Sequence, residues 1–249
     1  MGRLGERVAI VTGGAGGIGS AVARALAAEG GTVVIADIRD AEGTDLAAGL
    51  GGRSRFQHLD VTGEDDWKRA PADTERDLGP VSVLANIAGI MDWGTMEEQS
   101  PASFRRVVDV NLTGAWLGMR AVAPSLRRAG GGVIVNMSSL SGLTAYAGVG
   151  AYTAGKWGLR GVTKAAALEL APDRVRVCSV HPGAIRTPMT AGFGDACTAG
   201  QPIPRFGEPE EVARMVLFIV TDATFSTGRE FIVDGGFLAG APAVLTPDD

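Results

Sequence analysis

The sequence predicts a doubly wound α/β fold, and three observations predict it: short β-branched runs recur along the chain, stretches with apolar residues at helical spacing separate them, and a glycine-rich turn follows the first run. The runs fall at 8–12, 32–37, 56–60, 81–86, 133–137, 176–181 and 230–234, giving seven candidate strands. Helical spacing is clear at 18–29, 101–126, 151–170 and 209–220. Strands alternating with helices are joined by right-handed crossovers, so the expected sheet is parallel, seven-stranded and flanked by helices on both faces. Punctuation supports the elements in order. Gly30-Gly31 ends the first helix, Gly130-Gly131-Gly132 precedes the fifth strand, and Pro182-Gly183 closes the sixth. No repeat of 20 to 50 residues is present, which excludes solenoids and propellers. The 249 residues are read as one domain, with a C-terminal tail at 239–249 where periodicity stops and Pro242 and Pro247 occur.

Composition bounds the function. Hydrophobic residues make up 45% and charged residues 20%, as in an ordinary globular protein, and the net charge of -5 gives no basic surface for nucleic acid or an anionic membrane. No apolar run approaches the roughly 20 residues that span a bilayer, and the first strand starts too early for an export signal, so the expected location is cytoplasmic. The triplets at Asn111 and Asn136 are therefore not read as glycosylation sites. Cys178 and Cys197 are too few for a disulfide framework, and His58 and His181 show no metal-ligand spacing. No metal is expected.

Directly after the first strand comes Thr12-Gly13-Gly14-Ala15-Gly16-Gly17-Ile18-Gly19, leading into a helix. A pyrophosphate needs close approach of backbone, which a Cβ obstructs, and gains from the free N–H groups of a helix N-terminus. Gly14, Gly16 and Gly19 match G-x-G-x-x-G, while Gly13, Gly17 and Gly19 match the wider G-x-x-x-G-x-G, so spacing leaves the phosphate-contacting glycines open. Asp37 ends the second strand 18 residues beyond Gly19, where a carboxylate accepts both ribose hydroxyls of NAD and repels the 2′-phosphate of NADP. This is a Rossmann-type arrangement with NAD as the expected cofactor. A helix N-cap is the alternative role for Asp37, and Arg39 partly offsets its repulsion. Gly150, Gly155 and Lys156 start a phosphate-loop pattern, but Trp157 stands where Ser or Thr would bind magnesium, and phosphoryl transfer is rejected.

Tyr152 and Lys156 lie four residues apart on one helix face. A phenol with a pKa of about 10 is a poor base at neutral pH, and a neighbouring ammonium lowers that pKa by stabilising the phenolate. Ser139 follows the fifth strand at the carboxyl edge of the sheet, where such a fold places its ligand.

With the glycine loop, Asp60-Val61, Asn86-Ile87-Ala88-Gly89, Asn111 and Pro182-Gly183, this set resembles the short-chain dehydrogenase/reductase family from Thr12 to Gly236. The resemblance implies that Tyr152 is the acid/base, that Lys156 lowers its pKa and holds the nicotinamide ribose, that Ser139 positions the carbonyl or hydroxyl, and that Asn111 holds a water in a proton relay. It assigns Ile38, Asp60 and Val61 to the adenosine end, Asn86, Ala88 and Gly89 to the cofactor-facing fourth strand, and Pro182, Gly183, Ile185 and Thr187 to the nicotinamide end. Ile87 departs from the family, which usually has a second Asn there. For Asn86 and Asn111 the residues alone also allow a role in satisfying buried backbone groups, and for Thr187 a turn before Pro188. The implied reaction is hydride transfer between a carbinol carbon and nicotinamide C4.

The phrases His58-Leu59-Asp60-Val61-Thr62, Lys156-Trp157-Gly158, Ser179-Val180-His181-Pro182-Gly183 and Thr187-Pro188-Met189-Thr190 resemble bacterial NAD-dependent 3α(20β)-hydroxysteroid dehydrogenases. Met91, Trp93, Leu140, Leu143, Tyr146, Met189 and Phe193 are the expected pocket residues, and their apolar and aromatic character suits a hydrophobic secondary alcohol or ketone, steroid, terpenoid or alicyclic. Residues 190–205 are the expected substrate lid, and the resemblance implies a homotetramer. Reduction of a 3-oxoacyl thioester and a non-catalytic dinucleotide sensor are the rival readings.

Overall fold

The computed structural model describes all residues except 1, 6, 53 and 241–249. Seven strands, β1 (Val8–Thr12), β2 (Thr32–Asp37), β3 (Arg55–His58), β4 (Val81–Asn86), β5 (Gly132–Met137), β6 (Val175–Pro182) and β7 (Glu230–Val233), form one parallel sheet in the order β3-β2-β1-β4-β5-β6-β7. Alternate residues of a strand face opposite layers, and both layers are apolar. In β1, Val11 packs in the cluster with Val22, Leu26, Val216 and Ile219, while Ile10 packs in the cluster with Trp67, Leu126 and Leu170.

The first cluster carries α1 (Gly17–Ala28), α2 (Asp40–Leu50) and α7 (Pro209–Thr221); the second carries α3 (Glu64–Leu78), α5 (Gly114–Arg128) and α6 (Gly150–Leu170). A short helix α4 (Pro101–Val108) packs on α6. Its start is built in the usual way, with Pro101 in the first turn and the Ser100 hydroxyl accepting from Ser103 N–H. Helix α1 has no such side-chain cap behind Gly16. Among the described residues no helix is long and apolar enough to cross a membrane.

Several elements differ from the sequence expectation by one residue at an end, and two differ by more. The third strand ends at His58 instead of residue 60, because Asp60 Oδ1 accepts from Thr62 N and turns the chain. The helix expected over 101–126 is α4, a π-helical turn at Asp109–Thr113, and α5 in succession. The wider turn holds Asn111, in keeping with the frequent use of π-bulges at functional sites. The tail expected at 239–249 lies outside the described residues from position 241 onward. Order in the sheet reverses between β1 and β4, which run outward to opposite edges. A ligand crevice belongs at the carboxyl ends of those strands.

Candidate active site

A cleft of about 910 Å³ opens at that position, between the glycine loop, the loops after β4, β5 and β6, and α6. Its floor is stitched by Thr12, whose Oγ1 accepts from Ile87 N at 3.0 Å and Ala88 N at 3.2 Å. The loops after β1 and β4 touch so closely that a Cβ on Gly13 would sit 2.8 Å from Ala88 Cα. Gly13 and Gly17 have φ of +62° and +53°, a region that favours glycine, and a Cβ on Gly19 would lie 2.0 Å from the Gly13 carbonyl oxygen. Gly13, Gly16, Gly17 and Gly19 line the cleft with Ile18; Gly14 lies outside the lining, but a Cβ there would sit 2.7 Å from the Val11 carbonyl oxygen, so both spacings meet backbone requirements.

Asp37 is buried at the end of β2. Its carboxylate accepts from Ala15 N at 3.0 Å in the glycine loop and from Arg39 N at 3.1 Å. It does not cap α2, whose N-cap is Arg39. The Arg39 guanidinium lies over the loop, within 3.0 Å of where a Gly16 Cβ would be. Ile38, Asp60 and Val61 line the same end of the cleft. These features fit a dinucleotide: a loop that tolerates no Cβ, an uncapped helix N-terminus beside it, and a carboxylate at the edge of the second strand.

At the other end, Tyr152 and Lys156 stand one turn apart on α6, 9% and 3% exposed. The continuous helix from Gly150 also disposes of a phosphate loop there. Lys156 Nζ donates to the Met137 carbonyl at 2.8 Å and lies 5.4 Å from the Tyr152 ring centroid. Burial pulls the Lys156 pKa down to about 7. Burial pushes the Tyr152 phenol up, and a hydrogen bond from Ser139 acts the other way. The lowering of the tyrosine by its lysine, expected from the spacing, is therefore not the dominant effect in the bare cleft: the same desolvation that raises the phenol discourages the ammonium. Ser139 lines the cleft, and its Oγ accepts from Ser141 N at 3.1 Å.

Asn111 is 1% exposed and outside the lining. Its Nδ2 donates to the Ile90 and Val107 carbonyls at 2.7 and 2.8 Å, and its Oδ1 is buried without a partner. A Cβ on Gly89 would lie 2.7 Å from that oxygen and 3.4 Å from Lys156 Nζ, so Gly89 leaves open the space between the two groups. Asn86 turns away from the cleft and donates to Asn136 Oδ1 at 2.9 Å and the Ala115 carbonyl at 3.2 Å. Its Nδ2 thus satisfies one side-chain and one backbone acceptor, while its Oδ1 is buried without a partner. Ala88, Gly89, Pro182, Gly183, Ile185 and Thr187 all line the cleft, and Ile87, in place of the usual Asn, contributes its backbone N–H to Thr12.

Of the expected pocket residues, Met91, Trp93, Tyr146, Met189 and Phe193 line the cleft. Leu140 and Leu143 do not: the 3-10 turn Leu140–Gly142 packs on α6, and Leu140 is buried. Trp93 and Phe193 meet edge to face at 5.7 Å, and Tyr146 meets Phe237 at 6.0 Å. No local pattern in the sequence marks Phe237, which the turn after the last strand carries to the cleft. Thr12 ends the first strand and opens the glycine-loop motif, and its hydroxyl at that junction is the local signal for its bonds to Ile87 and Ala88.

A family model described as enoyl-(acyl carrier protein) reductase matches residues 13–238. The chain is 44% identical over 240 residues to a 3-alpha-(or 20-beta)-hydroxysteroid dehydrogenase of Mycobacterium bovis, covering 96% of this chain and 92% of the relative. It is 40% identical to a trans-4-hydroxycyclohexanecarboxylate dehydrogenase of Sinomonas cyclohexanicum, with 96% and 95% covered. Identity to a cyclopentanol dehydrogenase of a Comamonas species is also 40%, with 96% and 100% covered. Because the match runs from the glycine loop to the turn that carries Phe237, and so takes in the whole cleft, the chain belongs to the short-chain dehydrogenase/reductase family.

Proposed function

We propose that this enzyme interconverts hydrophobic secondary alcohols, alicyclic ones foremost, and their ketones with NAD as the nicotinamide cofactor. The observation that carries the reading is the group formed by buried Tyr152 and Lys156 and half-buried Ser139 at the switch-point cleft, opposite a wall of Met91, Trp93, Tyr146, Met189 and Phe193. The relatives named for ring alcohols support the substrate class. They do not favour thioester reduction.

Gly13, Gly17, Ile18 and Gly19 would hold the pyrophosphate, Asp37 the adenosine ribose, Ile38, Asp60 and Val61 the adenine, Ala88 and Gly89 the middle of the dinucleotide, and Pro182, Gly183, Ile185 and Thr187 the nicotinamide. The bound nicotinamide supplies hydride chemistry at its C4. The chain's own task is proton transfer and orientation. Tyr152, protonated in the ligand-free protein, gives its proton to a ketone oxygen held by the Ser139 hydroxyl, or takes the alcohol proton in the reverse direction. Lys156, with a pKa of about 7, is poised so that its charged form stabilises the phenolate. Asn111 Oδ1 is an acceptor for a water that passes the proton onward past Lys156.

Residues 190–205 are proposed as the lid, since Phe193 rests on Trp93 while Gln201 Nε2 anchors the returning limb on the carbonyls of Ile203 and Arg205. A homotetramer is proposed on the family resemblance, with the partly exposed Trp116 on α5 and Trp157 on α6 as apolar surface that a partner subunit would cover.

Assay of cyclopentanol, cyclohexanol, a hydroxysteroid, a terpenoid alcohol and a short linear secondary alcohol, each with NAD and NADP, tests the reading. Turnover is expected with ring alcohols and NAD; activity confined to a 3-oxoacyl thioester with NADPH overturns it. Asp37→Ala is expected to shift the NAD over NADP ratio of kcat/KM by at least about tenfold, because a like-charge contact with a 2′-phosphate is removed.

A further inference from the structure

His181 has no part in the chemistry above, yet it is fully buried near the carboxyl end of β6, one residue before the turn at Pro182 that lines the cleft. Its Nδ1 lies 3.0 Å from the Ser139 carbonyl oxygen and its Nε2 2.9 Å from Ser179 Oγ. A carbonyl only accepts, so Nδ1 carries the ring proton and donates. Nε2 is then the acceptor, and the Ser179 hydroxyl donates to it. The neutral ring satisfies both partners. Burial holds the imidazole pKa below its ordinary value, with Arg160 and Lys156 acting the same way and the Ser139 carbonyl and Glu230 opposing.

Ser139 is extended, with φ of -168° and ψ of 168°, at the point where the chain leaves β5. Its carbonyl also accepts from Gly142 N at 2.9 Å, and its Oγ accepts from Ser141 N at 3.1 Å. Those two bonds belong to the turn that Ser139 itself caps and would move with it. The His181 bond ties Ser139 to the sheet, one residue beyond the last ladder bond from Ser138 N to the Val180 carbonyl at 2.8 Å. We propose that His181 is a positioning residue: as the Nδ1–H tautomer it fixes the Ser139 peptide plane against β6, so that the Ser139 hydroxyl meets both Tyr152 and the substrate oxygen. This rests on the reading of Ser139 as the group that holds that oxygen. Displacement of a reacting group by about 1 Å costs on the order of 100-fold in rate, so one backbone hydrogen bond at this place matters.

The test compares His181→Ala, His181→Asn, Ser139→Ala and the His181→Ala/Ser139→Ala double variant in cyclopentanol oxidation with NAD, alongside NADH binding by fluorescence. His181→Ala is expected to lower kcat about 10- to 100-fold with NADH affinity within about twofold of the parent. His181→Asn, whose amide can donate to the Ser139 carbonyl, should recover part of that loss, and the His181→Ala effect should vanish in the Ser139→Ala background. Loss of kcat in Ser139→Ala with His181→Ala at the parental rate, or an equal His181→Ala loss in both backgrounds, overturns the inference. Full activity of Ser139→Ala instead overturns the reading of Ser139 beneath it. Should His181→Ala fail to fold, ¹⁵N spectra of the parent enzyme decide, since the chain has only two histidines: the Nδ1–H tautomer is expected, and an Nε2–H tautomer contradicts the proposal.

Discussion

On the sheet side of the cleft, Tyr152, Lys156, Asn111 and His181 are buried and most of their polar atoms are tied to backbone carbonyls or hydroxyls of β5, β6 and the loops beside them, whereas on the outer side Trp93, Tyr146 and Met189 stand 56%, 40% and 42% exposed on loops. The inner wall keeps reacting groups in a fixed, poorly solvated geometry, where electrostatic effects are large. The outer wall offers apolar surface from segments that can alter without disturbing the sheet. On the proposed assignment, reaction type and substrate choice reside in different parts of the molecule, and variants on the two walls should fail in different ways.

The largest effect is expected from Tyr152→Phe, which removes the proposed proton donor and leaves the ring in place. It should lower kcat by about 10²- to 10⁴-fold while NADH still binds, as measured by steady-state kinetics and fluorescence titration. Near-normal turnover would move the acid/base elsewhere.

Lys156→Met probes the cost of the inner wall. The folded pKa of about 7 lies below the ordinary value of 10.5, so between these the unfolded chain binds more protons and stability rises with pH. Each unit of depression costs about 1.4 kcal/mol at the low-pH side of that window. The variant should therefore melt above the parent near pH 6.5, and the gap should close toward pH 10, where loss of the bond to the Met137 carbonyl, about 1 kcal/mol, takes over. A gap independent of pH would deny the burial of an ionisable lysine.

The smallest effect belongs to the outer wall. Trp93→Ala removes the edge contact with Phe193 and one face of the pocket. Loss of the apolar surface that the ring alcohol would bury against this face should raise KM for cyclopentanol severalfold with kcat nearly unchanged. A fall in kcat at constant KM would join Trp93 to the chemistry and erase the distinction between the walls.

The same contrast explains what could be read from sequence. The buried strands are near-continuous apolar runs because both faces of a parallel sheet are covered, so β1, β2 and β4 stand out with their ends unchanged. Gly13, Gly17 and Gly19 are local requirements of backbone geometry, and the Tyr152 to Lys156 spacing is one helical turn. The π turn around Asn111 was hidden, since its residues share the apolar spacing of the helices on either side. Whether Asn86 faces ligand or Asn136, and whether Leu140 or Phe237 lines the pocket, depends on contacts across the sheet that no local pattern encodes.

The central claim is that the cleft brings a secondary carbinol carbon against the nicotinamide while Tyr152 handles only the proton. The direct measurement is to supply cyclopentanol deuterated at its carbinol carbon with NAD in ordinary water and to locate the label in the reduced cofactor by mass and NMR. One deuterium at nicotinamide C4, none lost to water, is the predicted result; reduced cofactor carrying solvent hydrogen at C4, or no reduction with any ring alcohol, would contradict it.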